Sequence, residues 1–238
     1  MIIVARENPV EMPDKATVTE QISELCGSFR EFVEYYDLHT PFRIPGQLEY
    51  HRRTIERRRL LGSVRAAVQD REFVEFLWKT LDKWGMNSRS ARLVSVNELW
   101  DSLKQNVNTF ESLERFRIDD VSLDKTRTAD QIWDIIQRVH VTPSANKVVS
   151  GTKTMHHLFP DLIPPMDRQY TRVFFGWQRQ EFQYNPRDAF IDIYLKFIEI
   201  ALSTNPTQFE GKGWRTSRTK ILDNAIVAYC LVHDLKPD

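Results

Sequence analysis

Helix-start signals recur along the chain, each followed by apolar residues at helical spacing. Ser95 and Glu98 match the capping box, in which a serine and an acidic residue three positions later satisfy free N–H groups at a helix start. Leu99, Leu103 and Val107 follow at intervals of four and form one apolar face. Apart from the short apolar run Met1–Val4, no segment alternates convincingly like a strand. The sequence therefore predicts an all-α fold, an orthogonal multi-helix bundle with at most a minor N-terminal strand.

The other predicted helices rest on the same two signals, a cap and a periodic apolar face. They begin at a Thr17/Glu20 box ahead of Ile22, Leu25, Phe29, Phe32 and Tyr36, at Asp70 with Gly85 at the far end, and at a Thr128/Gln131 box. Asn185-Pro186 opens a helix to about Ser203, and a last helix covers roughly Ser217–His233. Both of these are apolar nearly all round, which predicts that they are buried.

Domain organisation and compartment follow from what the sequence lacks. With only 8 glycines and no linker-like stretch, residues 1–238 are expected to form a single helical domain. Subdomains 1–119 and 127–238 are the alternative. Cys26 and Cys230 lie in apolar helical patterns and are interpreted as free thiols of a reducing compartment. Because no export signal or membrane-length apolar run is visible, we expect a cytoplasmic protein with no membrane partner.

The overall charge excludes a strongly basic nucleic-acid-binding protein, since 33 basic side chains balance 33 acidic ones. Two local clusters stand out. Seven arginines lie between Leu48 and Arg71, where they form either a phosphate-binding face or a solvated helix surface. Lys212, Arg215, Arg218 and Lys220 surround Trp214, which either stacks on a base or packs the last helix onto the core.

The segment Ser150–Phe175 carries the chemistry. A turn at Ser150-Gly151 is predicted to lead into a short helix, Lys153–Phe159, which Pro160 ends. The extended Pro164-Pro165 link then places Asp167 just before the next helix. A lysine at a helix N-terminus has a lowered pKa and more free amine for attack, and a nearby aspartate can accept a proton.

The order glycine, lysine, proline and aspartate in this segment resembles that of the helix–hairpin–helix DNA glycosylases, over about 25 residues. The resemblance implies a glycosylase-like fold in which a hairpin ending at Gly151 grips a DNA phosphate. It implies that Lys153 attacks the sugar, that Pro164 or Pro165 forms the turn, and that Asp167 is the catalytic aspartate. The string K-x-x-H-H-L-x-P-D-L-x-P-P-x-D-R-x-Y-T is also similar to that of bacterial proteins without an assigned activity, and that likeness is closer.

The predicted catalytic residues are thus Lys153 and Asp167. The predicted nucleic-acid-binding residues are Ser150, Gly151, Thr152, Arg168, Lys212, Trp214, Arg215 and Arg218. No cofactor and no metal site is predicted, because adjacent helical residues such as His156 and His157 project about 100° apart.

Two functions stay open. One is a nucleic-acid-associated protein with a glycosylase-like helical fold, catalytic or degenerate, whose partner is DNA or RNA. The other is a non-enzymatic helical protein-interaction module in which Lys153 and Asp167 are structural. The sequence does not decide whether the protein is an enzyme, or its oligomeric state.

Overall fold

The computed structural model describes residues 15–87 and 92–236, and in these ranges it contains helices and no strands. The helices are α1 Lys15–Gly27, α2 Phe29–His39, α3 Gln47–Leu60, α4 Val64–Gln69, α5 Arg71–Leu81, α6 Val96–Glu111, α7 Lys125–Arg138, α8 Val148–Leu158, α9 Thr171–Phe174, α10 Arg179–Tyr184, α11 Pro186–Thr204 and α12 Arg218–Val232. A π-helical turn, Asp82–Met86, follows α5, and a 3-10 turn, Pro206–Phe209, follows α11. The all-α multi-helix bundle is confirmed, and the predicted strand Met1–Val4 lies outside the described residues.

Two predicted caps are confirmed, and Ser217, the predicted start of the last helix, is also a cap. Ser95 Oγ accepts a hydrogen bond from the Glu98 amide, and the Ser95 amide donates to Glu98 Oε2 at 2.8 Å, which completes the capping box of α6. Asp70 accepts from the Phe73 amide at 2.7 Å, and Ser217 caps α12. In each case the donors and acceptors lie within four residues, so the local sequence determines the geometry.

Two predicted helix starts are wrong. Thr17 lies inside α1, and Thr128 lies inside α7, where Asp124 is the residue that caps by accepting from the Arg127 amide. The run from Thr17 is also two helices rather than one, with a break at Ser28. Its apolar face is nevertheless correct, because all five predicted members are buried: Ile22, Leu25, Phe29, Phe32 and Tyr36.

Replacing Ser95 with alanine is expected to lower the free energy of unfolding by about 1 kcal/mol, since one amide of α6 loses its acceptor. Ser28→Ala is the matched control, because Ser28 holds the same position before α2 without a side-chain capping bond. The two variants are compared by urea denaturation. Equal losses would show that the capping box of α6 does not contribute.

The last described helix, α12, lies at the centre of the bundle. It packs against α1, α2, α9 and α11, and its apolar residues from Ile221 to Cys230 are buried. The predicted burial of α11 and α12 is thereby confirmed. The helix α8 packs against α3, α5, α7 and α11. No helix in the described ranges is long and apolar enough to cross a membrane.

The helix α8 begins at Val148, five residues before the predicted start at Lys153. The amide of Gly151 donates to the carbonyl of Lys147 at 2.7 Å, so this residue is part of the helix. A Cβ at Gly151 would lie 2.5 Å from Cγ2 of Ile136 on α7. The glycine therefore allows two helices to approach closely, and the predicted hairpin ending at Gly151 is not formed.

The extended link after α8 is attached to that helix by Thr152. Its hydroxyl donates to the Val148 carbonyl at 2.7 Å and accepts from the Met166 amide at 3.1 Å. The next residue, Asp167, donates its own amide to Thr171 Oγ1. These bonds hold the aspartate beside α8, near Lys153.

Candidate active site

A small cavity of about 40 Å³ lies between α8, α12 and the π-helical turn; we call it the inner cavity. Its polar lining consists of Gln47, Lys153, Asp167, Lys220 and Asp223. Its other lining residues are Phe42, Trp84, Pro165 and Trp214. The space accommodates only a few water-sized groups, and two lysines and two aspartates face it.

A larger space of about 330 Å³, the outer pocket, shares four lining residues with the inner cavity: Phe42, Trp84, Lys153 and Asp167. Ser150 and the exposed Arg168 also line it. Its volume falls within the usual range for small-molecule sites, roughly 300–1,000 Å³. Lys153 and Asp167 thus lie where the outer pocket and the inner cavity adjoin.

The amine of Lys153 is half-buried and makes no hydrogen bond or ion pair with any described residue. Its Nζ lies 5.8 Å from the centroid of the Trp84 ring. Burial lowers the pKa of this lysine, while the charges of Asp167 and Asp223 oppose the shift. A lowered pKa increases the fraction of free amine, the form that attacks carbon.

The carboxylate of Asp167 has a structural role and remains accessible. Its Oδ1 accepts backbone hydrogen bonds from Gln169, Tyr170 and Thr171 at 2.7–3.2 Å, an arrangement typical of a helix cap. Its Oδ2 has no hydrogen-bond partner among residues 15–87 and 92–236, and the side chain lines both the cavity and the pocket. The cap fixes the side chain and leaves one oxygen for chemistry.

The second lysine, Lys220, is buried and ion-paired. Its Nζ lies 2.6 Å from Asp223 Oδ2 and donates to Asn224 Oδ1 at 2.7 Å. Although burial is the largest single effect and disfavours the ammonium, the interactions with Asp223 and Tyr36 together outweigh it and raise the pKa of Lys220. The amine therefore stays protonated and unavailable for attack, in contrast to Lys153.

Four aromatic rings surround the ammonium of Lys220 at distances typical of cation–π contacts. The distances from Nζ to the ring centroids are 5.0 Å for Trp214, 5.4 Å for Tyr36, and 5.8 Å for both Phe42 and Trp84. The four rings and Asp223 together hold the ammonium of Lys220 in one position at the edge of the inner cavity.

Several predicted nucleic-acid contacts are not where the sequence indicated. Ser150, Gly151 and Thr152 are buried inside α8, so they offer no hairpin amides to a phosphate. Trp214 is 5 % exposed, too buried for the predicted stacking on a base, and packs on Phe42 and His51.

The predicted cations differ in availability. Arg215 pairs with Asp37, and Arg218 pairs with Asp119. Arg168 and Lys212 are exposed, and their side chains have no ion-pair partner within the described part of the chain. Arg168 lines the outer pocket, whereas Lys212 lines a separate groove that shares Phe42 and Trp214 with the inner cavity.

The arginines between Leu48 and Arg71 are each paired with an acidic side chain, which favours the solvated-surface interpretation. The pairs are Arg52–Glu56, Arg53–Glu49, Arg57–Asp70, Arg58–Glu114, Arg59–Glu210, Arg65–Glu111 and Arg71–Glu75. The positive charge of these arginines is therefore largely offset by the paired carboxylates.

The ring nitrogens of the two adjacent histidines come close together, which their angular separation on a helix did not lead us to expect. His51 of α3 reaches them, and one ring nitrogen from each of His51, His156 and His157 lies within 4.8 Å of the others. All three side chains are fully buried. The ring centroid of His51 lies 5.7 Å from that of His156 and 5.1 Å from that of His157. The rings of His156 and His157 are themselves 5.0 Å apart, despite their angular separation on α8.

Comparison with protein-family models, curated proteins and solved structures finds no match to this chain.

The residues of this region that sequence reasoning missed include His51, Asp223 and Trp84. Asp223 carried a usable signal, because Lys220 and Asp223 are opposite charges three residues apart in an otherwise apolar helix. His51 and Trp84 carried none, since only the tertiary fold brings α3 and the π-helical turn to α8.

Proposed function

We propose that the protein is an enzyme in which Lys153 attacks the carbonyl carbon of a substrate and forms an imine. The observation that carries the proposal is the unpaired amine of Lys153 beside Asp167 at the junction of the inner cavity and the outer pocket. Nearby cationic side chains such as Lys220 and Arg215 are held by carboxylates. An unpaired amine in a half-enclosed pocket is the arrangement that amine catalysis requires.

In the proposed step the nitrogen lone pair of Lys153 attacks the carbonyl carbon. The carbonyl oxygen gains the two protons that the amine nitrogen loses and leaves as water, so amine and carbonyl become imine and water. Asp167 transfers these protons one after the other, accepting each from the nitrogen and passing it to the departing oxygen through Oδ2. The inner cavity accommodates the water that is released.

The expected substrate is an aldehyde, and the open-chain sugar of an abasic nucleic-acid site is the source that the glycosylase resemblance supports. At about 330 Å³ the outer pocket is large enough for a sugar with one phosphate. Arg168 provides an exposed cation there for the phosphate. A free sugar phosphate presents the same chemistry and is the second source.

Borohydride trapping tests the proposal, because the reagent reduces an imine to a stable secondary amine. We expect wild-type protein to form a covalent adduct with a duplex carrying an abasic site or with ribose 5-phosphate. Mass spectrometry of the digested protein should locate the adduct at Lys153. The more reactive of the two probes identifies the source of the aldehyde.

Lys153→Ala should reduce the adduct to background, while Lys125→Ala, which removes an exposed lysine of α7 outside the inner cavity and the outer pocket, should not change it. Asp167→Asn keeps an oxygen for the cap but cannot transfer protons, so it should slow trapping by roughly 100-fold. No adduct with either probe, or an equal yield from Lys153→Ala, would refute the proposal. The protein-interaction alternative would then be preferred.

A further inference from the structure

The three histidines His51, His156 and His157 form a buried cluster that the proposed carbonyl chemistry does not use. Their rings come from α3 and α8 and meet at centroid distances of 5.0–5.7 Å. The indoles of Trp84 and Trp214 cover them, with ring centroids 5.1 and 5.6 Å from that of His51. Imidazoles gathered in an enclosed space are typical ligands of transition-metal ions.

The outward nitrogens of all three rings are held by neighbouring groups. Nδ1 of His157 donates to the Lys153 carbonyl at 2.7 Å, and Nδ1 of His156 donates to the Ile163 carbonyl at 3.0 Å. Because a carbonyl can only accept, both Nδ1 atoms carry the proton and both Nε2 atoms have a free lone pair. Nε2 of His51 contacts the Thr216 hydroxyl at 2.7 Å. Metal-binding histidines are oriented by this kind of second hydrogen bond.

One of the remaining nitrogens has no partner. Nε2 of His156 is buried and makes no hydrogen bond to any described residue. A buried acceptor without a partner destabilises the fold. Nδ1 of His51 and Nε2 of His157 face each other at 3.0 Å. In tetrahedral zinc sites, Zn–N bonds of 2.0–2.1 Å place ligand nitrogens about 3.4 Å apart. The His51–His157 distance is already close to this value, and the nitrogen of His156, within 4.8 Å of the other two, must move closer by ring rotation.

We propose that His51, His156 and His157 bind one divalent transition-metal ion, best satisfied by Zn²⁺, through Nδ1 of His51 and Nε2 of the other two. Three protein ligands leave the fourth tetrahedral position to a non-protein ligand. The charge of Lys220, which would repel a cation, is offset by Asp223 at 2.6 Å.

The protonation state of the cluster fits this role. Burial lowers the pKa of each histidine, that of His157 to about 4. The hydrogen bonds leave one ring proton between the proposed ligand atoms, on Nδ1 of His51, which donates to Nε2 of His157. A bound metal ion requires this proton to move to Nε2 of His51, where the Thr216 hydroxyl can accept a hydrogen bond from it.

Metal analysis of the purified full chain tests the site. After incubation with Zn²⁺ and gel filtration, wild-type protein should hold about one ion per chain. His156→Gln should lose this ion, and the matched control His140→Gln, at an exposed histidine outside the cluster, should keep it. Co²⁺ in place of Zn²⁺ should give wild type and the control the intense visible absorption of tetrahedral cobalt.

A second measurement, the melting temperature of wild type and His140→Gln, tests the site even if His156→Gln folds poorly. Zn²⁺ at a hundred times its Kd should raise the melting temperature of wild type and His140→Gln by roughly 5–10 °C, and a chelator should reverse the rise. The inference is overturned if wild type binds no stoichiometric Zn²⁺ or Co²⁺. It is equally overturned if folded His156→Gln binds as much metal as His140→Gln. Neither result depends on imine formation by Lys153.

Discussion

Asp223→Ala is expected to lower the free energy of unfolding by about 3–5 kcal/mol, because it leaves the ammonium of Lys220 buried without its counter-charge. Lys220 is 2 % exposed, so bulk solvent does not reach the ammonium, and the small inner cavity beside it offers only a few water-sized spaces in place of the lost carboxylate. Asn224 and the four surrounding rings remain as partial compensation. Urea denaturation followed by circular dichroism measures the loss.

The matched control is Glu75→Ala, which removes the acidic partner of Arg71 from an exposed ion pair in α5. This change should cost less than about 0.5 kcal/mol, since exposed pairs contribute little. A double variant, Lys220→Met with Asp223→Leu, should recover most of the stability that Asp223→Ala loses, because no charge is then buried. If it is as unstable as the single variant, the packing of Asp223 rather than its charge is what matters.

Gly151→Ala is expected to destabilise the fold by about 1–3 kcal/mol. This loss is expected even though alanine is more favourable than glycine inside a helix by about 1 kcal/mol. The added Cβ would lie 2.5 Å from Cγ2 and 3.0 Å from Cγ1 of Ile136. Both atoms are next to the Ile136 branch point, so they cannot move away unless α7 shifts from α8. Denaturant midpoints with an unchanged m-value would measure the effect.

Gly27→Ala is the control for this substitution. Gly27 is the last residue of α1, and a Cβ there would meet nothing within 4 Å. We expect the free energy of unfolding of Gly27→Ala to equal that of wild type or to be slightly higher, since alanine restricts the unfolded chain. A gain in stability for Gly151→Ala as well would mean that α7 and α8 separate easily.

The sequence predicted the fold where local interactions determine it. The caps of α5 and α6 and the burial of α11 follow from donors, acceptors and apolar residues a few positions apart. The prediction failed at Gly151, which looks like a turn residue because it has no side chain. Its actual role depends on Ile136, a residue of another helix, and such contacts leave no local pattern.

The candidate site was partly predictable for the same reason. Lys153 and Asp167 are joined by a short link rich in proline, and both line the inner cavity; their catalytic role stays a prediction. Trp214 follows Gly213 and looks like part of an exposed loop, yet Phe42 and His51 bury it. His51 lies more than a hundred residues from His157, so only the tertiary fold reveals the cluster.

The central position of α12 has a consequence for the order of assembly during synthesis. This helix supplies Lys220 and Asp223 to the inner cavity and Thr219 to the surroundings of His156. Its Tyr229 also bonds Glu24 of α1, 205 residues earlier in the chain. Because translation proceeds from the N-terminus, the inner cavity cannot be completed until α12 has been synthesised. Contacts of such long range also favour slow folding, during which the apolar faces that cover α12 are exposed to chaperones.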